Sequence, residues 1–525
     1  MTEPEDPQTF RATPDDNDAN AENDVNAENV TGMSPVRRRR TPLTAAQLAA
    51  SYPSQYVPPQ PPEQPGFFAR HRFAVVASAV ALAFLLLASG AVAAGVSVGT
   101  AAADDELVEV PVDEAGRVVP DTIPGATDLR TCSISRLASA GSLGTLYASV
   151  VNADTGEALY DSRATEAAPA AGVEKILTAA AAIAVLGPDY QMVTRVVDNI
   201  TEGSVVLVGG GDPTLSRLPE GQQSVYPDAP KLADLAAQTL ATYESAHPGV
   251  AINEVVLDAS YWDKADRWNS GWDRGLQEAG LLSEVTALQV DGDRDDPTSR
   301  TSARSTDPIM RAGQEFVEAL GLENVTIRLG TAENGAPALA EVTSNTVENL
   351  VGVMLRTNDN TLAETLARVV SQQQDLDGTA ASLQQAIPRA LQGLGMDTSS
   401  LVIKDGSGQS AETMIPTSFI SALMVEVSDN PLLKPVLDAL PVAGETGGLS
   451  DRFGGGNSVA AGNVMAQTGA IETASSLGGV ILAQDGTRLA FAFYGVGDDV
   501  SAETETALDS LAAATYKCGN NLSNN

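Results

Sequence analysis

The chain has 525 residues and a formal net charge of −37, and most of the acidic excess lies beyond residue 72. Such a surface repels phosphate backbones and anionic lipid, which excludes nucleic acid as a partner. With only His71, His247, Cys132 and Cys518 available, a His/Cys metal site lacks its ligands. No cofactor is expected, and nucleophilic chemistry would need a base other than histidine, lysine being the natural candidate.

In chain order, residues 1–72 read as a disordered cytoplasmic tail, polar at first and then basic (Arg37 to Arg40) and proline-rich (Pro53 to Pro65). Residues 73–98 form an uncharged apolar run long enough to span a bilayer. Arg70, His71 and Arg72 precede it and Asp104, Asp105 and Glu106 follow, so the positive-inside rule predicts a cytoplasmic N-terminus and an extracytoplasmic C-terminal part. A cleaved signal ending near Ala101-Ala102-Ala103 is the rival, and the long leader argues for an anchor in the cell membrane. Residues 99–128 are an acidic linker.

Beyond it, Thr145–Val151 and Glu157–Tyr160 read as a hairpin around Asp154-Thr155-Gly156. Val173–Leu186 is a helix apolar nearly all round, stopped by Gly187-Pro188, and so central and buried. Gly478–Ala483 and Arg488–Gly495 flank Asp485-Gly486 as a second hairpin, and Ala502–Tyr516 reads as a closing helix. Hairpins at both ends predict one mixed sheet whose first and last strands meet. Cys132 and Cys518 bracket this region, and an oxidising location predicts a disulfide between them. Residues 199–343 look like an inserted domain of short strands and turns.

Several phrases occur in order: Val208-Gly209-Gly210-Gly211-Asp212-Pro213-Thr214-Leu215, Leu288-Gln289-Val290-Asp291-Gly292, Thr357-Asn358-Asp359-Asn360-Thr361-Leu362-Ala363-Glu364 and Asp405-Gly406-Ser407-Gly408. They continue with Leu440-Pro441-Val442-Ala443-Gly444, Gly448-Leu449-Ser450-Asp451-Arg452-Phe453 and Gln467-Thr468-Gly469. Over about residues 130–518 this series resembles the D-alanyl-D-alanine carboxypeptidase/endopeptidase family, the class C low-molecular-mass penicillin-binding proteins. The resemblance implies an α/β (α+β) transpeptidase-like domain from 129–198 and 344–520, its mixed or antiparallel sheet packed with helices. It also implies that 199–343 is an inserted, mainly-β domain.

The family's chemistry rests on Ser-x-x-Lys, Ser-x-Asn and Lys-Thr-Gly: an activated serine, a proton relay and a strand that holds the substrate carboxylate. Matched residue by residue, this chain departs from all three. Anchored on Lys175, the nucleophile position is Gly172; anchored on Pro169-Ala170, it is Ala171, with Glu174 in the lysine position. The second motif reads Asn358-Asp359-Asn360 and the third Gln467-Thr468-Gly469. Thr178, one turn beyond Lys175, is displaced too far along the helix axis to replace a serine. Lys175 is either a relic of the base or a buried cation paired with Glu174 or Asp359. Asp405-Gly406-Ser407-Gly408 fits a tight turn as well as a new nucleophile. Trp262, Trp268 and Trp272 fit either a sugar-stacking platform or local packing.

The expectation is a membrane-anchored pseudoenzyme of peptidoglycan metabolism. Its partners would be the stem peptide, held through Thr468, Gly469 and the Asn358–Asn360 edge, or cell-wall assembly proteins. The alternatives are an active serine-type carboxypeptidase or endopeptidase with unusual residues, and an extracytoplasmic adaptor without wall binding.

Overall fold

The computed structural model describes residues 130–498 and 500–524. The tail, membrane span and linker expected over residues 1–128 lie outside the described residues, among which no helix is long and apolar enough to cross a membrane.

Along the chain come strands β1 (Thr145–Asn152), β2 (Ala158–Ser162) and β3 (Ala167–Pro169), then helix α1 (Lys175–Leu186). Strands β4 (Val193–Asp198) and β5 (Ser204–Val208) lead to α2 (Leu232–Ala246), β6 (Glu254–Asp258) and α3 (Pro308–Ala319). After β7 (Thr326–Leu329) and β8 (Ala338–Thr343) follow α4 (Val347–Thr357), α5 (Asn360–Gln372) and α6 (Leu383–Gln392). The chain closes with β9 (Met414–Pro416), α7 (Thr417–Asp429), β10 (Val464–Ile471), β11 (Ala474–Leu482), β12 (Arg488–Val496) and α8 (Ala502–Cys518).

The main sheet has the order β10-β11-β12-β1-β2. The first and last strands do meet, β1 lying antiparallel against β12 from Thr145↔Val496 to Asn152↔Leu489. Every pairing in this sheet is antiparallel, not mixed, because hairpins join β10 to β11, β11 to β12 and β1 to β2. Period-two alternation on β12 feeds two cores. Ala490, Ala492 and Tyr494 pack with α7 and α1, whereas Leu489, Phe491 and Phe493 pack with Leu508 and Leu511 of α8.

Helix α1 is buried from Lys175 to Ile183 among α4, α5 and α6, as its all-round apolar sequence requires. The Cys132–Cys518 disulfide is present, with Cα atoms 5.4 Å apart. It is reinforced by Cys132 N–H to the Asn521 carbonyl (3.1 Å) and Ser523 N–H to the Cys132 carbonyl (2.9 Å).

The second sheet, β7-β6-β5-β4-β8, is the mixed one: β5, β6 and β7 are parallel and β4 is antiparallel to both neighbours. Parallel neighbours need long crossovers, which α2 and α3 supply, so this part is α/β and not mainly β. Strand β4, ahead of residue 199, belongs to this sheet as well.

Candidate active site

The turn that opens α1 lies between three elements. β3 delivers the chain to Ala171, whose φ of 44° is left-handed, and Ala171–Glu174 form a single 3-10 turn before the α-helix. On one side the Asp405–Gly408 loop is so close that a β-carbon on Gly408 would stand 1.9 Å from the Ala171 carbonyl oxygen. On the other side β10 touches the turn directly. A β-carbon on Gly172 would point at Thr468 O (2.7 Å), Gly469 Cα (2.9 Å) and Asn358 Oδ1 (3.4 Å).

Gly172, not Ala171, faces the second and third motif positions, and Lys175 follows one helical turn below. The structure therefore brings Gly172, Asn358, Gln467, Thr468 and Gly469 together.

Asn358 ends α4 in the left-handed conformation (φ 54°, ψ 42°). Its Oδ1 accepts a hydrogen bond from Gln467 Nε2 at 2.9 Å, so two neutral amides bridge the second and third motifs. Thr468 is committed internally: its hydroxyl donates to Ser476 O (3.1 Å) and accepts from Arg452 Nη1 (2.5 Å). Arg452 is itself neutralised by Asp509 at 2.7 Å.

Asn360 is turned elsewhere, its Nδ2 donating to Leu281 O at 3.0 Å. Asp359 caps α5 by accepting from Leu362 N–H and pairs with Arg294 at 2.8 Å. Burial pushes the Asp359 carboxyl up, but Arg294 and Arg304 outweigh it and hold the group below the usual range.

Lys175 is fully buried and donates to the Ser407 carbonyl at 2.8 Å, a contact the sequence did not suggest. Burial lowers its ammonium to about 8, against the opposing fields of Asp405, Glu174 and Glu364. Glu174 is fully buried beside Asp405. Burial, then the adjacent Asp405, drives its carboxyl well above the usual range. Glu364 accepts from Gly406 N–H at 2.9 Å and is pushed up to about 8, first by burial and then by Asp405.

Thr178 donates to Gly406 O at 2.6 Å and offers no free hydroxyl toward the cleft. Ser407 is fully buried, so its loop is a packed turn bolted to α1 by Lys175 and Thr178. The tryptophans are packing: Trp262 and Trp272 are buried, Trp272 Nε1 donates to Asp405 (2.8 Å), and Arg274 covers the Trp268 ring at 4.2 Å. His247 pairs with Asp198 at 2.7 Å on β4. Among the described residues no cluster of His, Cys, Asp or Glu could hold a metal ion.

A cavity of about 780 Å³ runs beside this constellation, bounded by Asn358–Asn360, by Ala470–Thr473 after β10, and by Arg294, Arg300 and Arg304. Gly172, Lys175 and Gln467 do not line it. The cavity arginines escaped the sequence reading, although Arg294 lies two residues beyond the Leu288–Gly292 phrase. Arg304 is lowered to about 10 by burial and then by Arg294, and Arg300 is exposed and makes no ion pair among the described residues.

The profile of the D-Ala-D-Ala carboxypeptidase 3 (S13) family matches residues 131–298 and 282–515. The chain belongs to this family. Among its relatives, carboxypeptidase Rv3627c of Mycobacterium tuberculosis is 32% identical over 418 residues, 78% of this chain and 88% of that protein. Carboxypeptidase DacB of Mycolicibacterium smegmatis is 31% identical over 77% of this chain and 87% of its own length. The fold is similar to that of penicillin binding protein 4 from Haemophilus influenzae: TM-score 0.61 at 18% identity, covering 73% of this chain and 99% of that one. The structure brings together Gly172, Asn358 and Gln467, the positions at which the resemblance led to an expectation of Ser, Ser and Lys.

Proposed function

We propose that this S13 family member is a membrane-anchored, extracytoplasmic pseudoenzyme that binds peptidoglycan stem peptide and takes part in wall assembly without hydrolysing it. One observation carries the loss of chemistry. Gly172 has no side chain, and a β-carbon there would lie 2.7 Å from the backbone of β10. A nucleophile is therefore missing and its space is closed. Losing the nucleophile of a serine hydrolase alone costs on the order of a millionfold in rate.

Binding is supported by the adjoining cavity, where the exposed Arg300 can meet one peptide carboxylate while Asp273, Glu472 and Glu505 on the same lining suit a peptide ammonium. The Gln467 amide cannot supply the cation that the family motif uses, and Arg300, which lines the cavity without an ion pair among the described residues, is assigned that role. Membrane anchoring rests on the apolar run 73–98 and the charge asymmetry around it.

The test uses the full-length protein with a fluorescent penicillin and with a stem peptide ending in D-Ala-D-Ala. The expected result is no covalent adduct, no release of D-alanine, and saturable binding of the peptide. An adduct or released D-alanine would overturn the inactive assignment. Absence of peptide binding, with a wall protein captured instead, would favour the adaptor.

A further inference from the structure

The second sheet carries a separate groove. Its parallel strands β5, β6 and β7 end together, Val208 opposite Asp258 and Leu257 opposite Leu329. In open sheets of this kind, ligands bind in the crevice outside the carboxyl ends of the strands. Two adjoining cavities of about 550 and 660 Å³ lie there, and both are lined by Ser260, Tyr261, Thr331 and Gln372. Each has the size of an ordinary small-molecule cleft, about 300–1,000 Å³.

The groove is built, not incidental. Asp258 is buried and holds both rims, its carboxylate accepting from Ser260 N–H (2.9 Å) and Ala332 N–H (2.8 Å). The floor depends on Gly211 (φ 91°), where a β-carbon would come within 3.0 Å of the Trp262 ring. The hydroxyl of Tyr261 accepts from Gln373 Nε2 at 3.0 Å, which orients its ring. The Tyr190 hydroxyl lies next to that of Tyr261, and both rings are half-buried.

The lining favours one kind of ligand. The side chains of Arg195, Thr331, Asn334 and Gln372 line one cavity and make no hydrogen bond among the described residues, leaving donors and acceptors for a guest. Phenol rings offer flat apolar faces beside them. Arg195 and Lys264 are outnumbered by Asp258, Asp263, Glu333 and Asp377, so no polyanion is favoured. Aromatic faces and planar amides, with no excess of positive charge, together suit a polyhydroxylated, uncharged chain.

We propose that this groove is a second binding site, for a neutral oligosaccharide of amino sugars. The site is distinct from the peptide cleft, and only the choice of an amino sugar rests on the proposed place at the cell wall.

The experiment is calorimetric titration of the full-length protein with the N-acetylglucosamine tetramer. Saturable binding is expected, weakened about tenfold or more by Tyr261→Ala, the loss expected when an aromatic contact of about 1.4 kcal/mol is removed. Asn334→Ala, on an exposed loop, should weaken binding severalfold and guards against a misfolded tyrosine variant. Arg300→Ala should leave tetramer binding unchanged while weakening stem-peptide binding. No saturable binding to the wild-type protein, or full affinity in both groove variants, would overturn the proposal. Peptide binding without tetramer binding would defeat the groove alone, and the reverse would defeat the peptide cleft alone.

Discussion

Gly172 and Gly469 meet backbone to backbone: a β-carbon on Gly469 would stand 2.1 Å from the Gly172 nitrogen and 2.3 Å from its Cα. The contact leaves no room for a side chain at Gly172, the position proposed above to correspond to the family's nucleophile. Restoring the chemistry therefore takes more than restoring the side chain. Gly172→Ser should lower unfolding free energy by about 1–3 kcal/mol, the usual range for overpacking a tight site. It should also remain unlabelled by a fluorescent penicillin, alone or with Asn358→Ser and Gln467→Lys. A stable, labelled triple variant would mean that β10 moves aside readily.

The amide bridge between Gln467 and Asn358 is the second device that holds the motifs together. Gln467 is buried but Asn358 is only half-buried at the edge of the cavity, so Gln467→Leu would leave its Oδ1 to water. The cost should be near that of a typical net hydrogen bond, about 0.5–1.5 kcal/mol. The loss should be visible in urea unfolding, and a change below a few tenths of a kcal/mol would mean that water replaces the amide without loss.

How much of this was legible beforehand differs between fold and site. The pairing of β1 with β12 followed from turn signals at Asp154-Thr155-Gly156 and Asp485-Gly486, and α1 from its unbroken apolar run, because these are local patterns. Helix α3 was overlooked although its start is signalled, Asp307 capping the Met310 N–H with Pro308 at the first helical position. In the site, the resemblance singled out Gly172, Asn358 and Gln467, which the structure brings together. The closure at Gly172 was not legible, since it depends on how closely β10 approaches a turn almost 300 residues away in sequence. The cavity arginines were hidden for the same reason: Arg300 and Asn360 share a cavity only after the second sheet is in place.

The buried carboxyls under α1 predict an unusual pH dependence. Glu364 titrates near 8 in the folded chain, far above an ordinary carboxyl, because burial and Asp405 oppose its charge. Between about pH 4.5 and 8 the folded chain keeps a proton that the unfolded chain has released. Stability should therefore be greatest below that window and fall as pH rises through it. Glu174 acts in the same direction. Lys175, lowered to about 8, acts oppositely, adding stability between about pH 8 and 10.5 as the unfolded chain alone stays protonated. Thermal unfolding at pH 5, 8 and 10 would reveal the minimum, and Glu364→Gln should flatten the acidic limb. An unchanged limb in that variant would assign the slope to Glu174.

The disulfide closes a loop with a sequence separation of 386. Cross-links of this kind typically stabilise by about 2–5 kcal/mol, chiefly by restricting the unfolded chain. Replacing Cys132 and Cys518 by serine should lower the unfolding midpoint by several degrees, and reduction of the wild-type protein should have the same effect. Equal stability with and without reductant would mean that the hydrogen bonds between Cys132 and the Asn521–Ser523 segment hold the termini unaided.

Arg300 gives the sharpest test of the cavity as a peptide site. Arg294 and Arg304 are anchored by Asp359, Tyr226 and backbone carbonyls, so truncating either would disturb the second sheet as well as any ligand. Arg300 is exposed and lines the same cavity without an ion pair among the described residues. Arg300→Ala should leave the unfolding free energy within about 0.5 kcal/mol of wild type, as surface changes usually do. Stem-peptide affinity should fall about 3- to 30-fold, as expected for loss of a charge-assisted contact that solvent partly screens. The difference should shrink as salt is raised, because screening weakens the same contact in the wild-type protein. Equal affinity at low salt in both proteins would remove Arg300 from peptide recognition.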